Sequence, residues 1–309
     1  MIANVVPNVP GSGLSQVVGV LWHHPGRLLA GLPFALALMA ILLAHEMGHY
    51  LTASRYGVDQ TLPYFIPAPT IFGTLGAIIL MRSLPSDRRA LMNVAVAGPF
   101  AGVLVAIPIV AWGLAHSNEA AFQRLSDSDF VFGSSFLFVL LKRLFAPDVG
   151  LLELHPVAIA GWVGLFVTSL NLIPAAQLDG GHVAYALFGR HQRRLSLAVV
   201  IALLVLGTFL ALEHGVEQGA IWVLWALFLF ILGVRHPPVR DERVPLSRGQ
   251  RLMGWLALAL FLLTFTPTPL SHAGSADFEP GVDQEELRAP ESPAPAHRDE
   301  RRAPEEFRL

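Results

Sequence analysis

An uncharged run from Leu28 to Ala44, LLAGLPFALALMAILLA, leads without a break into His45-Glu46-Met47-Gly48-His49. A stretch this apolar is long enough, with the residues that follow it, to cross the hydrocarbon core of a bilayer as a helix. Backbone polar groups inside a bilayer must be satisfied within the segment, so a helix is the form such a run takes. Two imidazoles and a carboxylate then arrive together in a place where ionisable groups cost several kcal/mol. In a helix, residues four apart lie on one face about a turn apart. His45 and His49 can therefore grip one metal ion, with Glu46 beside it to handle the protons of a water. The alternative is a pair of helix-face histidines hydrogen-bonded inside a polar bundle core. The burial of Glu46 weighs against that, because no basic residue follows until Arg55.

The rest of the composition agrees with a membrane setting. Of 309 residues, 53% are hydrophobic and 14% charged, whereas soluble domains run near a quarter charged. The expected fold class is an all-α multi-pass membrane protein. About six spans are expected, at roughly 29–55, 91–115, 156–178, 195–213, 219–235 and 251–268. The stretch 129–141, closed by Lys142-Arg143, is too short for a crossing and reads as re-entrant or interfacial. A formal net charge of −2 argues against a nucleic-acid-binding surface. The absence of cysteine removes disulfides and thiolate metal sites, leaving His and carboxylates as the metal chemistry. The first 27 residues show no charged n-region followed by an apolar stretch and cleavage site, so a cleaved signal peptide is not expected.

Between the first two spans, Thr61 to Arg82 (TLPYFIPAPTIFGTLGAIILMR) mixes prolines, glycines and short apolar runs. That pattern suits a small β-hairpin or re-entrant segment. Gly73 to Met81 could present an edge to which an unwound substrate adds as a strand; a structural hairpin plugging the mouth is the competing reading. From Ser271 to Leu309 the chain is rich in Pro, Ala, Glu and Arg without periodicity, and is expected to be disordered. His23-His24 beside Trp22 reads as an interfacial anchor.

A second constellation is Asn171-Leu172-Ile173-Pro174-Ala175-Ala176-Gln177-Leu178-Asp179-Gly180-Gly181. Catalytic zinc takes three protein ligands and keeps one position open; His45 and His49 supply two. Asp179 is the only carboxylate between Glu153 and Glu213, at the end of the third expected span. Pro174 is expected inside that helix, with Gly180-Gly181 ending it so that the carboxylate turns toward the metal. Asp179 could instead cap the following short helix, about 182–189. Counting spans puts both motifs on the same side. Twelve basic residues also fall there: Arg55, Arg82, Arg88, Arg89, Arg190, Arg193, Arg194, Arg235, Arg240, Arg243, Arg248 and Arg251. The opposite loops hold Arg27, Arg124, Lys142 and Arg143, so the positive-inside rule makes the first side cytoplasmic. Arg193-Arg194 and the run 235–251 read as topology determinants, and His182 as a solvated helix start with a supporting role as the alternative.

HExxH in an early span with NxxPxxxLDG in a later one resembles the site-2 protease family of intramembrane zinc metalloproteases. The match covers about Leu28 to Gly189. Pro63-Tyr64-Phe65-Ile66-Pro67, Gly73-Thr74-Leu75-Gly76-Ala77 and Gly98-Pro99-Phe100-Ala101-Gly102 resemble the branch that lacks a PDZ domain and includes plastid and cyanobacterial members. Many relatives carry Asn where this chain has Gly102. The resemblance implies one Zn2+ held by His45, His49 and Asp179, with Glu46 as acid/base. It also implies that Asn171 holds or polarises the scissile carbonyl; a helix-packing amide is the plainer role for that residue. Segment 1–28 is then an interfacial lead, 29–270 the membrane-embedded catalytic domain and 271–309 a tail. Partners would be the bilayer and transmembrane protein substrates, with no nucleic acid, and the location a bacterial inner membrane. A metal transporter or a catalytically silent scaffold for membrane proteins are the rivals.

Overall fold

The computed structural model describes residues 23, 25–67, 74–78, 83, 85–119, 130–147 and 152–272. A 3-10 turn at Pro25–Gly31 opens helix α1, Leu32–Arg55. Strands β1 (Tyr64–Pro67) and β2 (Thr74–Ile78) follow, then α2 (Arg88–Ala115). Next come β3 (Asn118–Glu119), β4 (Phe130–Phe132), α3 (Phe136–Phe145) and β5 (Leu152–Glu153). The remainder is α4 (Pro156–Asn171), α5 (Asp179–Phe188), α6 (Gln192–His214), α7 (Val216–Leu232), α8 (Arg248–Thr264) and β6 (Leu270–His272).

Among the described residues, three helical segments are long and apolar enough to cross a membrane: Leu29–Arg55, Arg88–Ala115 and Asp179–His214. They correspond to the expected spans 29–55, 91–115 and 195–213. The other three expected spans are shorter. α4 has 16 residues, α7 has 17 and α8 has 17, about 24–26 Å of helix at 1.5 Å per residue. The span expected at 156–178 ends early. α4 stops at Asn171, so Pro174 lies past its end rather than inside it. Of the segment 129–141, residue 129 lies outside the described residues and the rest holds β4 and the beginning of the ten-residue α3, too short to cross.

The expected hairpin between the first two spans is present. β1 and β2 pair antiparallel, Tyr64 with Ile78 and Pro67 with Thr74, with a bulge between Phe65 and Pro67. Gly73 and residues 79–81 lie outside the described residues, as do most of 1–28 and all of 273–309. The start of the expected disordered tail is ordered: Ser271 and His272 belong to β6, which pairs with β4. Ladder hydrogen bonds to β4 hold that segment despite its unpromising composition.

Helix packing follows from small residues at the contacts. α1 lies along α2 and α4, and α2 along α4. A Cβ on Gly161 of α4 would come within 2.4 Å of Val110 Cγ2 on α2, so those backbones approach as only glycine permits. Phe34, Leu38, Ile41, Val110, Trp162 and Leu165 fill the shared core. Leu36, Leu43, Leu104, Val205, Leu212 and Phe230 are exposed on the outside, an apolar surface suited to lipid chains.

Both ends of the bundle are tied. At one, Asp87 caps α2 by accepting from Arg89 N and Ala90 N. Arg88 there donates to Ala186 O and Leu187 O at the end of α5. Arg89 donates to Pro245 O before α8, and Asp241 N donates to Ser86 O. At the other end, β3 pairs with β5 and β4 with β6. Arg88 and Arg89, two of the arginines assigned to one side in sequence, thus lie at one end with the close of α5 and the segment before α8. In this cysteine-free chain, single substitutions Arg240→Cys and Ser54→Cys should react with a membrane-impermeant maleimide from the same face, and His116→Cys from the opposite face. Equal labelling of all three from one face would contradict this end assignment.

Candidate metal centre

Local geometry brings His45 and His49 together, because they stand four apart on α1. Both are buried, at 4% and 9% exposure. Their Nε2 atoms lie 3.1 Å apart. Asp179, 134 positions after His45 and the first residue of α5, brings Oδ2 to 3.2 Å from each. The three atoms form a nearly equilateral triangle. Tetrahedral zinc with bonds of about 2.0–2.1 Å sets neighbouring ligand atoms about 3.3–3.4 Å apart. One ion fits this triangle as a face of its coordination shell. Among the described residues, this is the one cluster of three metal-capable side chains. A transporter would need further such clusters along a path, and no second one is found among those residues.

The surroundings set the histidine orientation. His49 Nδ1 lies 2.8 Å from Val94 O on α2, a carbonyl that can only accept. The proton therefore sits on Nδ1, and a neutral His49 presents its Nε2 lone pair to the centre. That contact requires α1 and α2 to touch. A Cβ on Gly48 would lie 2.5 Å from Ala97 O, and one on Gly98 would lie 2.1 Å from His49 Nε2. A Cβ on Gly102 would come within 3.2 Å of His45 Cβ. The Gly-Pro motif of α2 is thus a flat seat for both rings, with Gly102 on the His45 side.

Asp179 does not serve as the cap considered from sequence. The residue before α5 is Leu178, with no side-chain cap hydrogen bond, and Asp179 opens the helix proper. Gly180 and Gly181 do not end a helix but stand in the first turn of α5. They are small for another reason: Cβ atoms there would fall 2.0 Å from Leu172 O and 2.4 Å from Ala176 O. The loop 172–178 lies directly on that turn.

Glu46 is half-buried, beside His45 in sequence, and no hydrogen bond engages it among the described residues. Asn171, the last residue of α4, brings Nδ2 to 3.5 Å from His45 Nε2. All five residues singled out from sequence therefore belong to one region.

Other contributors were not foreseen. Ala176 has φ +52, the one non-glycine residue with positive φ among those described. Its N–H donates to Ser196 Oγ at 3.2 Å, and Gln192 Nε2 donates to its carbonyl at 3.3 Å. Gln192 and Ser196 are 1% and 0% exposed. Their sequence signal is an uncharged polar pair four apart at the start of an apolar helix. His182 is half-buried and paired rather than a free helix start: its Nδ1 lies 2.6 Å from His236 Nε2. Burial lowers the His236 pKa, favouring the neutral ring in that contact.

A model of peptidase family M50 matches residues 33–213. The chain belongs to that family. Similar curated proteins include the probable zinc metalloprotease EGY1, chloroplastic, of Arabidopsis thaliana, 34% identical over 77% of this chain and 43% of that protein. The probable zinc metalloprotease EGY2, chloroplastic, of the same plant is 32% identical over 79% of this chain and 43% of its own. The rice EGY1 protein, from Oryza sativa subsp. japonica, is 32% identical over 78% of this chain and 41% of its own. The chain spans less than half the length of these relatives. The resemblance to site-2 proteases and their plastid members is borne out. The expected bacterial inner membrane gains no support, since these relatives are named chloroplastic; an integral membrane location is what they and the apolar helices support.

Gly98→Ala should weaken metal retention about 10- to 100-fold, the usual effect of disturbing a ligand's supporting contacts, by driving a methyl into the His49 ring. Gly26→Ala, where an added Cβ meets nothing within 4 Å, should retain metal like the parent. Metal content after dialysis against graded chelator measures both. Equal retention by the two variants would rule out the seat described for α2.

Proposed function

We propose that this chain is the membrane-embedded catalytic unit of a zinc-dependent endopeptidase that cuts other membrane proteins within or near their spans. The observation that carries the reading is the triangle of His45, His49 and Asp179 ligand atoms, 3.1–3.2 Å on a side, in an M50-family chain. His45, His49 and Asp179 hold the ion. Zinc, when bound, supplies a Lewis acid that makes water a nucleophile near neutral pH and draws charge from a carbonyl.

The chain's own groups do the rest. Glu46, which no hydrogen bond engages among the described residues, takes a proton from the attacking water and later delivers one to the departing amine. Asn171 Nδ2 donates toward the substrate carbonyl oxygen as negative charge develops there. A substrate helix hides its carbonyls in its own hydrogen bonds and must unwind before attack. An edge of the β1–β2 hairpin, unpaired among the described residues, suits capture of the extended segment by strand addition.

In this reading α4, α7 and α8 also cross, which gives six spans with the centre facing the arginine-rich side. Residues 29–270 are the catalytic domain.

The test is cleavage of a transmembrane peptide by purified protein in liposomes. Glu46→Gln should retain zinc and lose activity about 10²- to 10⁴-fold. Asp179→Asn should lose both zinc and activity. Asn171→Ala should lower kcat about 10²- to 10³-fold with zinc content unchanged. Chelator should abolish cleavage and added zinc restore it. Undiminished cleavage by Glu46→Gln would reject the mechanism, and cleavage indifferent to chelator would reject the metal.

A further inference from the structure

Outside the metal centre, on the arginine-rich end, a cavity of about 350 Å³ is lined by Arg190, Arg193, Arg235, Tyr185, Gln192 and His236, with Gly189, Pro238 and Glu242 completing the wall. The positive-inside rule accounts for arginines on this side of a membrane. It does not account for three converging on one concavity. None of the three is ion-paired to a carboxylate among the described residues. Glu242, the one acid in the wall among the described residues, accepts from Tyr185 Oη at 2.6 Å. Arg193 also stands in the first turn of α6, which contains no acidic residue; a cation there opposes the helix dipole. Among the described residues the cavity therefore sets three arginines against one carboxylate, that of Glu242.

The geometry points to an anion site that takes a phosphate group. Arginine forks match phosphate oxygens in bidentate fashion, and the Tyr185 and His236 rings, stacked at 4.2 Å, form an apolar wall beside them. Two sources share that chemistry: the headgroup of an anionic lipid and a soluble phosphate. Arg235 lies just beyond the apolar α7, and Arg190 and Arg193 flank the start of the apolar α6. The cavity is thus at headgroup level.

The floor of this cavity reaches the metal centre through two short paths. Gln192 accepts from His236 N at 3.3 Å, while its Nε2 donates to Ser196 Oγ and to Ala176 O. Ala176 is the positive-φ residue three positions before Asp179. His236 contacts His182, one turn beyond Asp179 on α5. An occupant braces the loop that carries Asp179, a consequence that rests on the metal reading above; the anion site itself does not.

The test uses full-length Glu46→Gln protein, so that cleavage plays no part. Melting temperature is followed with inorganic phosphate in detergent, and in phosphatidylcholine nanodiscs with and without phosphatidylglycerol. Stabilisation of several degrees is expected. It should fall by more than half in Arg190→Gln/Arg193→Gln/Arg235→Gln and persist in the charge-reduced control Arg240→Gln/Arg243→Gln, whose arginines lie outside the cavity. A response to phosphatidylglycerol alone identifies a lipid headgroup; a response to phosphate alone identifies a soluble ligand. No stabilisation by either, or equal loss in the control, overturns the site. Zinc release, followed with a chromogenic chelator, should slow at least threefold when the anion is present. Unchanged release with binding intact overturns the bracing, and stabilisation by anion in protein that never binds zinc sinks the metal reading while leaving the anion site standing.

Discussion

Three lone-pair atoms held 3.1–3.2 Å apart inside a helical bundle are the constraint on which the rest depends. Two imidazole nitrogens cannot both point protons at each other across such a distance without repulsion. A carboxylate in surroundings this dry is costly without a compensating charge. A divalent cation resolves both problems together, because it accepts all three lone pairs and neutralises the carboxylate. The folded arrangement makes physical sense as a binding site, and much less as a set of ordinary core hydrogen bonds.

Holding that triangle requires close helix contact on one side and a tight loop on the other. Gly48 and Gly98 let α1 and α2 meet so closely that Val94 O orients the His49 ring. Across the site, loop 172–178 turns the chain from the end of α4 into α5 within a few residues. It does so through a left-handed Ala176. A non-glycine residue in that conformation is uncommon and worth an explanation, and here Ser196 and Gln192 engage its backbone on both sides. Polar residues buried in an apolar helix are thereby satisfied, and the conformation they hold aims Asp179.

The same physics links the centre to the arginine-rich end of the bundle. Gln192 is a single side chain that serves the Ala176 turn and the His236 backbone. His236 in turn meets His182. The groups that set the position of Asp179 are therefore shared with the wall of a charged cavity, where changes in occupancy bear on the loop through hydrogen bonds rather than through the helix cores.

The sequence by itself determined the features that depend on local or additive physics. A helix carries His45 and His49 on one face whatever surrounds it, and a run such as Leu28–Ala44 partitions by composition. Asp179 stood out because carboxylates are so scarce near it. Only the tertiary structure decided where α4 ends, that Gly180 and Gly181 make room for a loop rather than stop a helix, and that Ser271 and His272 join a strand. It likewise decided that His182 is paired and that Gly98 is a seat for His49. Each of these depends on which backbone atom from a distant segment occupies a given point. That information resides in packing between helices, and no spacing along the chain encodes it.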